Sequence, residues 1–267
     1  MTLSPNLWDV TNESRKNAPI AVLDSGVGGI SLLRELKRIL PHEDLLYLGD
    51  AKHAPYGEQD ADTLRTLLLT HAKSLLPRAK ALVLACNTAT AVGAEALRKA
   101  YPTLPIVGME PAVKPALAVG AHPRILILAT HATLREEKLA LLLHRYRAEA
   151  DFTLLAAPKL VEFVEKEEAD TAPCRDYLAA LFAPFHSSPP DAIVLGCTHF
   201  PFAKAAISAC FSHPVPLFDG TAGTAKQVAH VLAEKNLCNP QMVRGTVTFT
   251  ATDSTAIPRY LRAFLAK

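Results

Sequence analysis

Ala81-Leu82-Val83-Leu84-Ala85-Cys86-Asn87-Thr88 and Ala192-Ile193-Val194-Leu195-Gly196-Cys197-Thr198-His199 are the two stretches on which the fold turns. Each is a short aliphatic run that ends in a cysteine followed by polar residues. A continuous apolar run of this length suits a strand buried on both faces, the kind found in parallel sheets covered by helices. Upstream of Cys86 the same pattern recurs. A strand is expected at 20–23, then a glycine turn and a helix at 30–40, where Leu32, Leu33, Leu36, Ile39 and Leu40 fall at helical spacing. A second strand (45–48) and helix (61–76), a third strand (81–85) and helix (89–100), and a short strand at 106–107 complete the first half.

The second half repeats the plan. Strands are expected at 125–128, 152–155 and 192–195, with helices at 134–147, 161–168 and 175–184 between them. Ile20 and Ile125, Leu45 and Phe152, and Cys86 and Cys197 lie 105, 107 and 111 residues apart. Three matches in one order at a near-constant offset read as an internal duplication. The expected fold is α/β, with two pseudo-symmetric parallel-sheet domains and an active site in the cleft between them. A segment at 110–115 with prolines at 111 and 115, and a second at 218–224, serve as crossovers. The domains are then 1–112 with 222–267, and 113–221. The tail, with a helix at 225–236, a strand at 246–250 and a helix at 257–266, has no counterpart in the first half and is assigned to the first domain.

Composition narrows the function. The chain has 267 residues and a formal net charge of +2, with its basic residues scattered, so nothing favours nucleic acid. No apolar stretch approaches bilayer length. Residues 1–19 carry Asp9, Glu13, Arg15 and Lys16 and lack the apolar centre of a signal peptide, so a cytoplasmic location is expected. Five cysteines, an odd number with no C-x-x-C pair, read as reduced thiols. A homodimer is left open by the sequence.

Ligands of parallel α/β sheets bind beyond the carboxyl ends of the strands. Those ends carry Asp24-Ser25-Gly26-Val27-Gly28-Gly29, Gly49-Asp50 with Pro55-Tyr56-Gly57 beyond it, Cys86-Asn87-Thr88, Thr130, the segment from Pro158 to Glu162, and Cys197-Thr198-His199. Each has a plain structural alternative. Asp24 and Ser25 could cap the following helix. The glycine run fits neither G-x-G-x-x-G nor a P-loop. Cys174, Cys210 and Cys238 read as inert small hydrophobes. Cys86 and Cys197 differ, because each meets a helix start, where a thiol can fall from about 8.5 by a unit or more. Finding this twice, at matching places, points to catalysis.

Two symmetric thiols suit racemisation. One thiolate removes the α-proton from one face of an amino acid while the opposite thiol delivers a proton to the other. Helix-terminal amides and the hydroxyls of Ser25, Thr88 and Thr198 would bind carboxylates, and Asp24 and His199 would move protons. No cofactor or metal is needed for this chemistry.

With these residues in place, the sequence resembles the glutamate racemases of bacterial cell-wall synthesis, within the aspartate/glutamate racemase superfamily. Asp24–Gly29, Pro55-Tyr56-Gly57, Ala85-Cys86-Asn87-Thr88-Ala89-Thr90 and Leu195-Gly196-Cys197-Thr198-His199-Phe200-Pro201 carry the likeness in the family's order. The resemblance implies pyridoxal-independent interconversion of L- and D-glutamate, supplying D-glutamate for peptidoglycan. It implies Cys86 and Cys197 as the acid/base pair, Asp24 and His199 as auxiliary catalysts, and Glu162 as a further acidic residue near the second cysteine. Substrate contacts implied are Asp24, Ser25, Tyr56, Gly57, Asn87, Thr88, Thr130, Thr198 and His199, with Thr133 on the same loop as Thr130. Ala129 stands where the family commonly has glycine, and His131 adds bulk to that loop.

Four other readings compete. The substrate could be aspartate, since pocket length is not legible. A cysteine hydrolase could use Cys197 with His199, but it leaves Cys86 without a role. A zinc site at Cys197 and His199 lacks further ligands at recognisable spacing, and a two-lobed periplasmic binding protein would need an export signal.

Overall fold

The structure, a computed structural model, describes residues 15–266. Most of the 1–19 segment on which the signal-peptide reading rests lies outside the described residues. By internal packing the chain divides into two units, Met1–Met109 with Thr221–Lys267, and Glu110–Gly220.

The first unit opens with strand β1 (Ile20–Asp24), helix α1 (Ile30–Ile39), β2 (Leu45–Gly49), helix α2 (Ala61–Leu75), β3 (Ala81–Leu84), helix α3 (Asn87–Ala100) and β4 (Ile106–Gly108). The second runs through a short helix α4 (Val113–Ala116), β5 (Arg124–Ala129), α5 (His131–Arg135), α6 (Glu137–Arg145), β6 (Asp151–Ala156), α7 (Pro158–Glu165), α8 (Ala172–Phe182), β7 (Ala192–Leu195), α9 (Lys204–Ser208) and β8 (Leu217–Asp219). The chain then returns to the first unit through α10 (Thr221–Glu234), β9 (Val247–Ala251) and α11 (Ile257–Leu265).

Every strand pairing is parallel. The strand orders are β4-β3-β1-β2-β9 and β6-β5-β7-β8. Read from the other edge, the second sheet is β8-β7-β5-β6, the order of the first without its tail strand. Both aliphatic runs quoted at the outset are central strands with every residue buried, β3 beside β1 and β7 beside β5. Their lack of alternation follows from helices covering both faces. On α1 the buried residues are Ile30, Leu32, Leu33 and Leu36, a one-sided stripe that the tail helices α10 and α11 pack against. β9 pairs with β2 along its whole length.

Two local features differ from the expected elements. The helix expected at 134–147 begins earlier, at His131, because Thr130 caps it, and it breaks at Glu136, whose backbone is extended, before α6 resumes. The segment 218–224, expected as a crossover, does hold the boundary between the units at Gly220 and Thr221, but it also takes in the end of strand β8 and the start of α10. β8 lies 111 residues after β4 and fills its place in the duplicated order. It has only three residues, all partly exposed, and ends in aspartate, so it carries little hydrophobic signal.

Candidate active site

Each sheet ends in its own cluster of polar residues. In the first unit, the turn after β1 is too tight for a side chain at Gly29, where a Cβ would lie 2.7 Å from that of Asp24. Neither Asp24 nor Ser25 caps α1, whose N-cap is Gly29 without a side-chain bond. Asp24 instead accepts the Gly26 amide at 2.9 Å, fully buried, with Ser25 buried beside it. The plain capping alternative is thereby removed.

Cys86 is the N-cap of α3, and its sulfur accepts the Ala89 amide at 3.4 Å. The first-turn amides of a fourteen-residue helix thus face the sulfur, where they stabilise negative charge. Asn87 and Thr88 come next, both buried. Neither the oxygen nor the nitrogen of the Asn87 amide has a hydrogen-bond partner among the described residues. Buried polar atoms are rarely left so, which marks this amide as shaped for a polar ligand.

Tyr56 is buried in the 3-10 turn Tyr56–Glu58, which also holds Gly57. Its hydroxyl donates to Asp50 at 2.8 Å. Burial and then the Asp50 charge push the Tyr56 phenol far above its ordinary value, so it stays protonated. Burial also pushes Asp50 up, but bonds from His71, Thr252, His53 and Tyr56 together outweigh it and hold the carboxyl well below the usual range.

In the second unit, Cys197 follows β7 but opens onto a turn and a short 3-10 stretch, Phe200–Ala203, rather than an α-helix. Its electrostatic company is a side chain. The Cys197 sulfur lies 3.7 Å from Nδ1 of His199, and Nε2 of His199 lies 2.6 Å from Oε1 of Glu165. His199 is only 2% exposed. Burial pulls its pKa down, yet the bonds to Cys197 and Glu165 prevail and hold it well above the ordinary histidine value. Thr198 is buried beside them, and Thr130 and Thr133 are buried at the end of β5. There the Thr130 hydroxyl donates to that of Thr133 at 3.1 Å while accepting the Thr133 amide.

Glu162 is not part of this cluster. Its side chain is 51% exposed and faces Lys166 at 3.9 Å. Glu165, three residues on, is the carboxylate that reaches His199. Leu160, Val161 and Val164 form the buried side of α7, and position 165 falls next to that stripe while 162 points outward. The first acidic residue after Pro158 is therefore not the one at the site; the helical wheel extended by one turn finds the second. Asp50 was marked by its place at the end of the second strand, but its pairing with His71 had no signal, since a carboxylate and a histidine 21 residues apart give no local pattern.

Within the second unit, Cys197, His199 and Glu165 form a thiol–imidazole–carboxylate chain, an arrangement that hydrolases also use. Comparison with known proteins decides between these chemistries. The Asp/Glu/Hydantoin racemase family matches residues 28–228. The glutamate racemase of Ectopseudomonas mendocina is 41% identical over 241 residues, covering 90% of this chain and 92% of that one. Two solved structures are similar throughout. The Escherichia coli glutamate racemase in complex with L-glutamate and the activator UDP-MurNAc-ala has a TM-score of 0.80 at 28% identity, covering 92% of this chain and 95% of its own. The Francisella tularensis glutamate racemase in complex with D-glutamate has a TM-score of 0.78 at 26% identity, covering 92% and 94%.

Proposed function

The chain belongs to the Asp/Glu/hydantoin racemase family, and on that premise we propose that Cys86 and Cys197 are the acid/base pair of its reaction. That reaction is the interconversion of L- and D-glutamate. The observation that carries the two-thiol reading is the pairing of reactive surroundings. Each cysteine ends an equivalent central strand, and each has its own means of stabilising a thiolate.

In this reading the thiolate of one cysteine takes the α-hydrogen of bound glutamate. The electron pair is left on the α-carbon and spreads into the carboxylate. The thiol of the other cysteine then gives its proton to the opposite face, and the return reaction exchanges the roles. Glutamate would bind with its carboxylates toward Ser25, Thr88, the Asn87 amide, Thr130 and Thr198, which supply donors at the strand ends. Gly57 and Tyr56 would border it on the first unit. Asp24 would hold or exchange protons beside Cys86. His199, kept charged by Glu165, would do so beside Cys197. No step calls for pyridoxal. The product D-glutamate would serve peptidoglycan assembly, a role in keeping with the activator UDP-MurNAc-ala of the Escherichia coli relative. The free thiols suit the reducing cytoplasm.

The test is racemisation of L-glutamate by the purified protein without pyridoxal, in deuterium oxide. D-glutamate should form with deuterium at the α-carbon. Inversion without solvent isotope at that carbon would overturn the two-thiol mechanism. Aspartate run in parallel should turn over far more slowly, and equal rates would remove the glutamate assignment.

A further inference from the structure

At the end of β2, Asp50 receives two imidazoles on one carboxylate. His53 Nδ1 lies 2.8 Å from Oδ1 and 3.0 Å from Oδ2, and His71 Nε2 lies 2.8 Å from Oδ2. The three ligand atoms all lie within 4.8 Å of one another. They come from three different places: the strand end, the loop after it, and the middle of α2. We propose that Asp50, His53 and His71 form a binding site for a divalent cation of the zinc class, with water completing the coordination.

The donor set fits such an ion. Two imidazole nitrogens and a carboxylate oxygen make up the protein side of many open zinc sites. Tetrahedral coordination at about 2.0–2.1 Å would set the ligand atoms about 3.3 Å apart, so a pair at the 4.8 Å limit needs a closing adjustment of about 1.5 Å. His53 can make it, because its side chain is 41% exposed on a loop, which also gives the ion a way in from solvent. Asp50 and His71 are held more firmly, the first fully buried and the second largely so.

The remaining partners of Asp50 are those a bound carboxylate needs. The Thr252 hydroxyl donates to Oδ1 at 2.7 Å and the Tyr56 hydroxyl to Oδ2 at 2.8 Å. When an ion takes the place of the two ring protons, each carboxylate oxygen keeps one hydroxyl donor, the outer-shell support that fixes ligand orientation. A neutral imidazole ligates through the nitrogen that faces Asp50 once its proton sits on the other ring nitrogen. None of the three residues belongs to the proton-transfer chemistry assigned to the two cysteines.

Cobalt(II), titrated into the reduced, chelator-stripped full-length protein, reports both stoichiometry and ligand type. One ion per chain should bind with ligand-field bands and without a thiolate-to-metal charge-transfer band. His71→Gln and His53→Asn each retain an N–H donor for Asp50 but lose the imidazole lone pair. Each should weaken binding by at least about tenfold, the lower bound for losing even an outer-shell partner. Zinc should raise the Tm of the wild type and raise that of the variants less. No binding by the wild type, unchanged affinity in both variants, or a thiolate band would overturn the proposal. If His71→Gln does not fold, the loop variant His53→Asn decides alone.

Discussion

The two cysteines end equivalent strands yet are served by different physics. Cys86 sits at the N-terminus of a long helix and takes an amide hydrogen bond from Ala89. Cys197 has no such helix and is served by a buried imidazole whose pKa is held well above the ordinary value by its bonds to Cys197 and Glu165. A duplicated fold has kept the position of the thiol and changed what surrounds it. The backbone device cannot be deleted by side-chain substitution and does not titrate. The side-chain device can be deleted and does titrate, so the two units can be told apart by experiment.

The largest effects should come from the thiols themselves. Cys86→Ala and Cys197→Ala should each lower racemisation by roughly 10²–10⁴-fold, the range for a positioned acid or base, as followed by circular dichroism of glutamate. Full activity in either variant would break the comparison at its root. Next come His199→Gln and Glu165→Gln, at roughly 10²-fold in kcat, with Glu162→Gln close to wild type. The two enantiomers have equal free energies in water, so kcat/KM must stay equal in both directions for every variant. The asymmetry should appear instead in kcat and KM taken separately, and in unequal deuterium uptake by the two enantiomers. Identical uptake would mean that His199 does not serve Cys197 in particular.

Asn87→Ala should raise KM about tenfold, the worth of one polar contact of about 1.4 kcal/mol. It should leave the fold as stable or slightly more so, because a buried amide without partners is removed. A lower Tm would show that the amide is structural. The pH effect is smaller. The pKa of His199 is raised by folding, so its stabilisation is complete below its unfolded value of about 6.5 and is lost as pH rises through the folded value. The Tm gap between wild type and His199→Gln should therefore narrow above about pH 6.5. Smallest of all, Cys174→Ala should leave the rate unchanged and cost about 1 kcal/mol of stability, since this thiol is buried in the hydrophobic core of the second unit.

The sequence by itself determined the parallel α/β class, the repeat, and the strand ends at which Cys86 and Cys197 lie. These are set by local hydrophobic runs and by the polar residues that close them, and such runs are legible because central strands are buried on both faces. Strand β8 was not legible, being too short and too exposed to leave a pattern. Glu165 was half legible, since its helix was expected but the wrong face of it was chosen. Tertiary structure alone decided that Asp24 binds the turn rather than the helix, and that Glu165 rather than Glu162 reaches His199. It alone gathered Asp50, His53, His71 and Thr252 about one carboxylate. Such groupings depend on which distant segments the sheet brings side by side. Hydrophobic periodicity records how each segment is buried, and it does not record its neighbours.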